Sequence, residues 1–558
     1  MTTTSARPAG SALRTAARHL VGRTVGHLLG LPAETTGYRV HRVRIPMRDG
    51  VELVADHYAP VATDPAGTLL VRGPYGRGFP FSLIFAMLYA ARGYHVVLQS
   101  VRGTFGSGGV FEPMVREADD GADTAAWLRR QPWFTGRFGT IGVSYLGFTQ
   151  WAMLTDPPPE LAAAVIIAGP HDFGASAWGT GAFAVSDFLG WSDLVAHQED
   201  AGRIRAAIRQ LRAQRRVDRA AGQVPLGASS RALLGDRAPW YDGWLAHPDL
   251  GDPFWEEVRF TAALDRVQIP VLLVGGWQDL FLTQTLHQYR HLRDRGIDVA
   301  LTVGPWPHTQ LLTKGLGDIT RHTLAWLDTH LGAVSGAARR APVRVYVGGG
   351  RGWRDLPDWP PATTEKTLYL QPGGGLADAP PSAAAQIKPA TFRFDPADPT
   401  PTIGGPMLSP DSGYRDDSRL VRRPDVLAFS GDPLAADLEV HGNPVVEVAH
   451  SSDNPHVDLF VRVSEVDARG RSVNVSDGYR RLAAATTDPQ PVRLTLDAVA
   501  HRFRAGSRIR VLVAGGWYPR FARNLGTGEP VTTGRQMRSA THAVHFGASR
   551  LVLPVEAG

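Results

Sequence analysis

The sequence predicts an α/β protein that is built around a mostly parallel sheet and is followed by a separate β domain. Short apolar runs alternate with helical stretches over residues 68–168 and again over residues 271–303. Apolar runs of this kind are typical of strands that are covered by helices on both faces. After residue 332 the pattern changes to short strands with turn residues, which indicates a β-sandwich or jelly roll.

A helical segment interrupts the alternation of strands and helices. Residues 171–264 are helical and loop-like, carry clusters of aromatic residues and contain no clear strand. We interpret them as a cap inserted over the carboxyl edge of the sheet. With 558 residues the chain is also too long for one core. The predicted segments are an N-terminal extension (1–36), the first part of the sheet domain (37–170), the cap (171–264), the second part of the sheet domain (265–335) and the C-terminal β domain (336–558).

The composition argues against several classes of protein. The chain is 43% hydrophobic and 20% charged with a net charge of +6, which is ordinary for a soluble globular protein. No apolar run is long enough to span a bilayer, and basic and aromatic residues do not interleave as in nucleic-acid-binding proteins. Because there is no cysteine, disulfides, thiolate metal sites and a cysteine nucleophile are excluded. We therefore predict neither a membrane span nor a nucleic-acid partner.

The N-terminal segment is basic, with four arginines and no acid before Glu34. Arg23 and His27 interrupt the apolar stretch 20–31, which makes it a poor core for a signal peptide. We therefore expect a frayed or amphipathic extension and a cytoplasmic protein. Attachment to a membrane surface is the alternative interpretation.

A serine stands at the corner between a predicted strand and a predicted helix. Residues 138–143 form an apolar run typical of a buried strand, and the apolar residues of 146–154 have helical spacing. Gly142 and Gly147 flank Ser144, so the two backbones can pass closely at a sharp turn. The motif is one residue longer than the G-x-S-x-G nucleophile elbow, and it also occurs in ordinary turns. As an elbow it would lift the Ser144 hydroxyl clear of the sheet, beside the N–H groups that begin the helix.

Asp279 and His308 each follow a later predicted strand. A serine hydroxyl is a weak nucleophile until a base takes its proton, and that base needs an orienting carboxylate. In α/β-hydrolase sheets the acid and the base follow the serine in the chain order Ser, acid, His. Taken singly, Asp279 could be a helix N-cap and His308 a surface histidine. His171 is a rival base, but it precedes any good candidate for the acid.

Several short motifs occur together in one order along the chain. They are Ser144-Tyr145-Leu146-Gly147, Gly275-Gly276-Trp277-x-Asp279, Gly304-Pro305-Trp306-x-His308 and the segments 46–51, 72–75, 101–103, 399–405 and 519–524. This set resembles the motifs of the cocaine-esterase and X-Pro dipeptidyl-peptidase family of serine hydrolases. The resemblance runs from about residue 38 to about residue 553.

The resemblance implies a fold and further site residues. It implies an α/β-hydrolase core with an inserted helical cap and a C-terminal jelly roll. It also implies that the Tyr75 hydroxyl and the Tyr145 backbone N–H form the oxyanion hole; on the residues alone Tyr75 is an ordinary aromatic at a strand end. Relatives that hydrolyse α-amino acid esters carry carboxylates where this chain has Phe281 and Leu282. An unpaired ammonium is costly in an apolar pocket, so a substrate with a free α-amino group is disfavoured unless a cap acid supplies the charge.

The sequence therefore predicts a serine hydrolase that cleaves small carboxylic esters, or amides, through an acyl-enzyme on Ser144. This chemistry needs no metal or nucleotide cofactor. An X-Pro dipeptidyl peptidase or acylase using the same triad is one alternative, and a ligand-binding protein with a vestigial core is another. Phe281, Leu282 and the cap aromatic Trp178 are candidate pocket residues. A homo-oligomer is an option that the sequence leaves open.

Overall fold

Two β-sheets and a helical cap make up the protein. The computed structural model of the chain describes residues 9–200, 203–332, 339–382 and 386–557. Within these ranges, ten strands form the first sheet and twelve form the second. None of the helices in the described ranges is both long enough and apolar enough to cross a bilayer.

The first sheet has the strand order β1-β2-β4-β3-β5-β6-β7-β8-β9-β10. Its strands are β1 (Tyr38–Pro46), β2 (Glu52–Pro60), β3 (Gly67–Gly73), β4 (Tyr94–Ser100), β5 (Phe138–Val143), β6 (Leu161–Ile167), β7 (Val271–Gln278), β8 (Val299–Pro307), β9 (Val343–Val347) and β10 (Gly352–Leu356). All neighbours from β4 to β9 pair in parallel, whereas β1, β2 and β10 pair antiparallel. The predicted, mostly parallel sheet is confirmed.

Helices cover this sheet on both faces. They include α2 (Leu88–Ala90, preceded by a π-helical turn, Leu83–Met87), α3 (Glu117–Arg129), α4 (Tyr145–Met153), α11 (Leu282–Asp294) and α12 (Leu316–His330). Every residue of β3, β4, β5 and β7 is buried, as expected of strands between two helical layers. Because β5, β7 and β8 run in the same direction, their carboxyl ends meet at one edge of the sheet.

The interval between β6 and β7 folds as helices, as the sequence predicts for the cap. These are α5 (Phe173–Trp178), α6 (Val185–His197), α7 (Arg203–Ala221), α8 (Leu226–Leu234), α9 (Trp240–Ala246), α10 (Thr261–Arg266) and the 3₁₀ turns Gly235–Arg237 and Pro253–Val258. The basic helix α7 is anchored to α6, because Arg209 and Arg216 donate hydrogen bonds to Asp193 Oδ1 at 2.7 and 2.9 Å.

The C-terminal part of the chain forms the predicted jelly-roll-like β domain, with its own apolar core. Its strands are β11 (Thr363–Gln371), β12 (Gly375–Ala377), β13 (Ala390–Phe394), β14 (Val426–Ser430), β15 (Leu438–Gly442), β16 (Val445–Ser452), β17 (Val457–Val466), β18 (Ser472–Leu482), β19 (Gln490–Thr495), β20 (Val499–Phe503), β21 (Arg508–Ala514) and β22 (Ala540–Glu556). Although β9 and β10 follow residue 336, they pair with the first sheet, which therefore continues to Leu356.

The N-terminal extension contains a helix, α1 (Ala9–Leu28), which is joined to the body of the protein. Arg92 Nε donates to the carbonyl oxygen of Pro32 at 2.9 Å, and Arg321 donates to the carbonyl oxygen of Leu29. Leu20 and Leu28 are exposed. Residues 1–8 of the predicted extension lie outside the described residues.

Candidate active site

Ser144 lies in a strained turn between β5 and α4. Its backbone has φ 59° and ψ −122°, a conformation that residues with a Cβ rarely adopt. Such strain persists only where the surroundings enforce it, and it is typical of a nucleophile elbow. A Cβ on Gly142 would lie 2.4 Å from Leu146 Cβ, and one on Gly147 would lie 2.7 Å from Gly169 Cα. Both flanking glycines are therefore required by close backbone contacts, as the sequence motif predicts.

Asp279 and His308 form a hydrogen-bonded pair at the same edge of the sheet. His308 Nδ1 and Asp279 Oδ2 are 2.7 Å apart, and the Asp279 side chain is fully buried. The other oxygen, Asp279 Oδ1, accepts the N–H of Phe281 at 2.7 Å. Because a carboxylate only accepts hydrogen bonds, Nδ1 of His308 carries the proton and Nε2 is free to act as a base.

The rival base His171 has a different environment. Its Nδ1 lies 3.0 Å from the amide nitrogen of Gln288, and its ring packs near Trp151 and His287. Burial lowers the pKa of His171 to about 3. A base with so low a pKa is poorly matched to catalysis near neutral pH, so the geometry and the pKa both favour His308 over His171.

The Tyr75 hydroxyl lies beside Ser144. It accepts the indole N–H of Trp191 at 2.9 Å, and the Ser144 side chain lies near enough to lower its pKa. Burial raises the pKa of Tyr75 and outweighs both of these contacts, so the hydroxyl stays protonated at neutral pH. A protonated phenol in this position can donate a hydrogen bond to an oxygen that is bound at Ser144.

Tyr145 supplies a second donor from its backbone. As the first residue of α4, its N–H has no acceptor within the helix. The side chain is fixed beneath the elbow: its hydroxyl donates to Glu117 Oε1 at 2.7 Å and accepts the N–H of Met114 at 2.7 Å. The Tyr145 ring also stacks on Trp191 with a centroid distance of 6.1 Å. Two hydrogen-bond donors therefore lie beside Ser144, and their role as an oxyanion hole stays a prediction.

A buried cap carboxylate lies within electrostatic range of the Asp279–His308 pair. Asp187, on α6, is 2% exposed, and the charges of His308 and Asp279 both act on its ionisation. Burial raises the pKa of Asp187 to about 6, although Arg520 and the N–H of Leu408 oppose that shift. The site thus holds a second buried acid with a pKa near the working range of a histidine base.

The C-terminal domain also reaches this edge of the sheet. Asp187 Oδ1 accepts the N–H of Leu408 at 2.7 Å, and Thr309 Oγ1 lies 3.3 Å from Ser412 Oγ. On β18, the side chain of Asn474 donates to Gln278, the last residue of β7, at 3.1 Å. The hydrolase sheet, the cap and the β domain therefore all contribute to the surroundings of the site.

The candidate pocket residues have different environments. The Phe281 ring lies edge-on to the His308 ring at 5.4 Å, so it forms an apolar wall beside the pair. Leu282 begins α11 and is buried. Trp178 packs inside the cap, where its indole N–H donates to the carbonyl oxygen of Trp244 at 2.8 Å and its ring lies against Phe183.

Sequence reasoning missed the roles of two residues on α6, Asp187 and Trp191. They are four residues apart, so they lie on the same side of the helix. The available signal was the presence of two acids, Asp187 and Asp193, in a mostly apolar helical stretch, since acids on a core-facing helix are rarely buried without a partner. The aromatic residue gave no signal, because cap aromatics usually pack with one another.

One acidic cluster lies in the C-terminal domain. Glu439, His441 and Glu556 bring their side-chain ligand atoms within 4.8 Å of one another. However, Arg354 forms ion pairs with both carboxylates, and Arg351 lies 3.2 Å from Glu439. Since guanidinium groups already neutralise these acids, we interpret the cluster as an ion-pair network and not as a metal centre.

Replacing Asp187 by Asn is expected to stabilise the protein at pH 8. The folded-state pKa of about 6 lies above the ordinary value of 3.8, so the ionised carboxylate destabilises the fold above pH 6. Asp187→Asn removes this penalty and keeps an acceptor for the Leu408 N–H. The free energy of unfolding at pH 8 should rise by at most about 3 kcal/mol, and the gain should vanish near pH 4. Denaturant unfolding of both proteins at pH 8 and pH 4 tests this; a loss of stability at pH 8 would contradict it.

A serine elbow, a buried Asp–His pair and hydrogen-bond donors beside the serine, at the carboxyl edge of an α/β-hydrolase sheet, define a serine hydrolase. Residues 49–310 match the X-Pro dipeptidyl-peptidase (S15) family, and residues 335–551 match the C-terminal non-catalytic domain of X-Pro dipeptidyl-peptidases. The cocaine esterase of Rhodococcus sp. (strain MB1 Bresler) is 32% identical, over 92% of this chain and 98% of its own. The chain therefore belongs to the cocaine-esterase and X-Pro dipeptidyl-peptidase family of serine hydrolases.

Solved structures agree with this assignment. An aminopeptidase from a marine sediment Thaumarchaeota archaeon superposes with a TM-score of 0.79 at 25% identity, over 93% of this chain and 97% of that one. An α-amino acid ester hydrolase superposes with a TM-score of 0.78 at 25% identity, over 94% and 98%. The predicted core, cap and jelly roll are thus the shared architecture of this family.

Proposed function

We propose that this chain hydrolyses neutral carboxylic esters of small molecules, with Ser144 as the nucleophile. The observation that carries the proposal is the 2.7 Å contact of the buried Asp279 with His308, at the sheet edge where Ser144 lies between β5 and α4. Ester cleavage also agrees with the name of the esterase relative. A cytoplasmic location and a homo-oligomeric state stay predictions.

The proposed reaction is a two-step acyl transfer. His308 Nε2 takes the hydroxyl proton of Ser144 as the serine oxygen attacks the ester carbonyl, and Asp279 stabilises the imidazolium that forms. The Tyr75 hydroxyl and the Tyr145 N–H donate to the negatively charged carbonyl oxygen. The imidazolium then protonates the departing alcohol, which leaves an acyl-enzyme. Water, deprotonated by the same histidine, releases the acid and restores the serine.

A second candidate function is the cleavage of substrates that carry a free amino group. It is favoured by the two solved relatives, an aminopeptidase and an α-amino acid ester hydrolase. Asp187 could pair with such an ammonium, because it lies near His308 in the cap. We rank this candidate second, since Asp187 is buried with a raised pKa and already accepts the N–H of Leu408. Phe281 adds an apolar wall beside His308.

A matched pair of substrates distinguishes the two functions. At pH 7 we expect kcat/KM for a phenylacetate ester to exceed that for the corresponding phenylglycine ester by at least about tenfold, or about 1.4 kcal/mol of transition-state binding. The physical reason is the desolvation cost of an ammonium next to apolar side chains. X-Pro nitroanilides, measured alongside, should be turned over more slowly than either ester.

The Asp187→Asn variant is the control for this comparison. If the wild-type enzyme prefers the amino ester, and the variant loses only that preference, the cap carboxylate binds the ammonium and the neutral-ester proposal is wrong. If both proteins prefer the neutral ester to the same degree, the carboxylate has no part in substrate selection.

A further inference from the structure

A single helix of the cap contacts both proposed oxyanion donors. Trp191, on α6, donates its indole N–H to the Tyr75 hydroxyl at 2.9 Å, and the plane of its ring lies within 8° of the plane of the Tyr145 ring. About two turns further along the chain, at the C-cap of α6, Gln198 donates its side-chain amide to the carbonyl oxygen of Pro74 at 2.9 Å. The cap therefore holds the residue before Tyr75 as well as Tyr75 itself.

The direction of the hydrogen bond between Trp191 and Tyr75 is fixed by chemistry. An indole N–H donates and has no capacity to accept, so the phenolic oxygen must be the acceptor. The phenolic proton consequently cannot point toward Trp191. The phenolic proton is therefore available to the other neighbour of the hydroxyl, the side chain of Ser144. During the reaction the carbonyl oxygen that is bound at Ser144 takes this place as acceptor.

This arrangement matters because a tyrosine hydroxyl rotates and can accept as well as donate. An oxyanion hole is effective when its donors already point at the site where negative charge develops, since no reorganisation is then needed. A hydroxyl that could turn away would lose part of that advantage. The bond from Trp191 removes the unproductive orientation, and the stacked ring limits movement of Tyr145 at the same time.

We propose that Trp191 is a positioning residue of the hydrolase, which orients the Tyr75 hydroxyl as a donor to the oxyanion. The proposal rests on the proposed function, because it assumes that Tyr75 stabilises the tetrahedral intermediate. It gives the cap a catalytic task besides covering the substrate: the oxyanion hole is complete only when α6 is docked on the core. Trp191 itself takes no proton and forms no bond to substrate in this scheme.

The test is a set of single and double variants measured with one neutral p-nitrophenyl ester. Tyr75→Phe should lower kcat by about 10²- to 10³-fold, as loss of an oxyanion donor does. Trp191→Phe should lower kcat by about 10- to 100-fold with KM changed less than about twofold, because the lost orientation affects only the transition state. In the Tyr75→Phe background, Trp191→Phe should cause little further loss, since there is no hydroxyl left to orient.

Two controls separate orientation from general damage to the cap. Trp240 also lies in the cap, and its indole N–H donates to Ser192 Oγ at 3.2 Å, so Trp240→Phe should leave kcat within about twofold. Replacing the Trp191 indole by an isosteric benzothiophene removes the N–H but keeps the ring and should reproduce the loss in kcat. Affinity for a phenylboronic acid, which forms a tetrahedral adduct on serine, should fall together with kcat.

Each outcome decides a different claim. Wild-type kcat in Trp191→Phe or in the benzothiophene variant, or an equal loss in both Tyr75 backgrounds, would overturn the role of Trp191 and leave the proposed function intact. Unchanged kcat in Tyr75→Phe would overturn this role and the oxyanion assignment together. If neither the wild-type protein nor any variant hydrolyses the ester, the proposed function is wrong.

Discussion

Replacement of Ser144 by alanine is expected to abolish covalent labelling by a fluorophosphonate and to lower kcat for a p-nitrophenyl ester by roughly 10⁵- to 10⁶-fold. The reason is that the acyl-enzyme route has no alternative nucleophile once the hydroxyl at the elbow is removed. The residual rate should still exceed that in water, because the proposed oxyanion donors Tyr75 and Tyr145 and the binding site remain.

The position of the fluorophosphonate label identifies the nucleophile directly, which the rate alone does not. Mass spectrometry of the labelled wild-type protein should find the phosphonyl group on the peptide that contains Ser144. Ser229→Ala is a suitable control, since this serine lies on α8 of the cap and donates to the carbonyl oxygen of Ala220. Labelling of another residue, or turnover by Ser144→Ala within about a hundredfold of wild type, would show that the nucleophile is assigned wrongly.

The parts of the site that could be predicted are those encoded in short stretches of sequence. The elbow is marked by a buried strand, a serine between glycines and apolar residues with helical spacing, all within residues 138–154. Asp279 and His308 are each found one residue past a strand. Parallel strands have their carboxyl ends at one edge, so these separate local patterns predict a common site without knowledge of any contact.

The cap residues could not be predicted in the same way. Asp187 and Trp191 are more than forty residues from Ser144 in sequence, and they reach the site only because α6 docks on the core. A helix such as Val185–His197 gives an amphipathic pattern that indicates which side is buried, but the pattern does not identify the partner. The role of Tyr75 was predicted only from the family resemblance, because an aromatic residue at a strand end does not by itself indicate an oxyanion donor.

The end of the first sheet shows a similar limit. The change to short strands after residue 332 predicts a β domain, yet β9 and β10 add to the hydrolase sheet and β11 begins the second one. Short strands carry little information about their partner, because edge pairing is decided by tertiary packing and not by propensity. The residue pattern therefore shows where the architecture changes, but it does not identify the last strand of the first sheet.

Asp279→Asn should be the most informative of the conservative substitutions, with kcat lowered by about 10⁴-fold at pH 7 and the fold retained. Asp279 accepts two hydrogen bonds, one from the Phe281 N–H and one from His308 Nδ1. An asparagine has only one oxygen, and the backbone N–H of Phe281 can only donate, so we expect the amide oxygen to stay with Phe281. The NH₂ group then faces His308 Nδ1, which must act as an acceptor.

The consequence is a change of tautomer at His308. With Nδ1 accepting, the neutral ring carries its proton on Nε2, and the atom that should take the Ser144 proton is no longer basic. Nitrogen NMR of the His308 ring should show that the proton of the neutral ring lies on Nε2 in the variant and on Nδ1 in the wild-type protein. The thermal transition should stay close to that of wild type. Fluorophosphonate labelling should be slowed, since it needs the same base, but should still occur on Ser144. A variant that keeps wild-type kcat, or one that loses kcat without a change of tautomer, would mean that the Asp279–His308 contact does not orient the base.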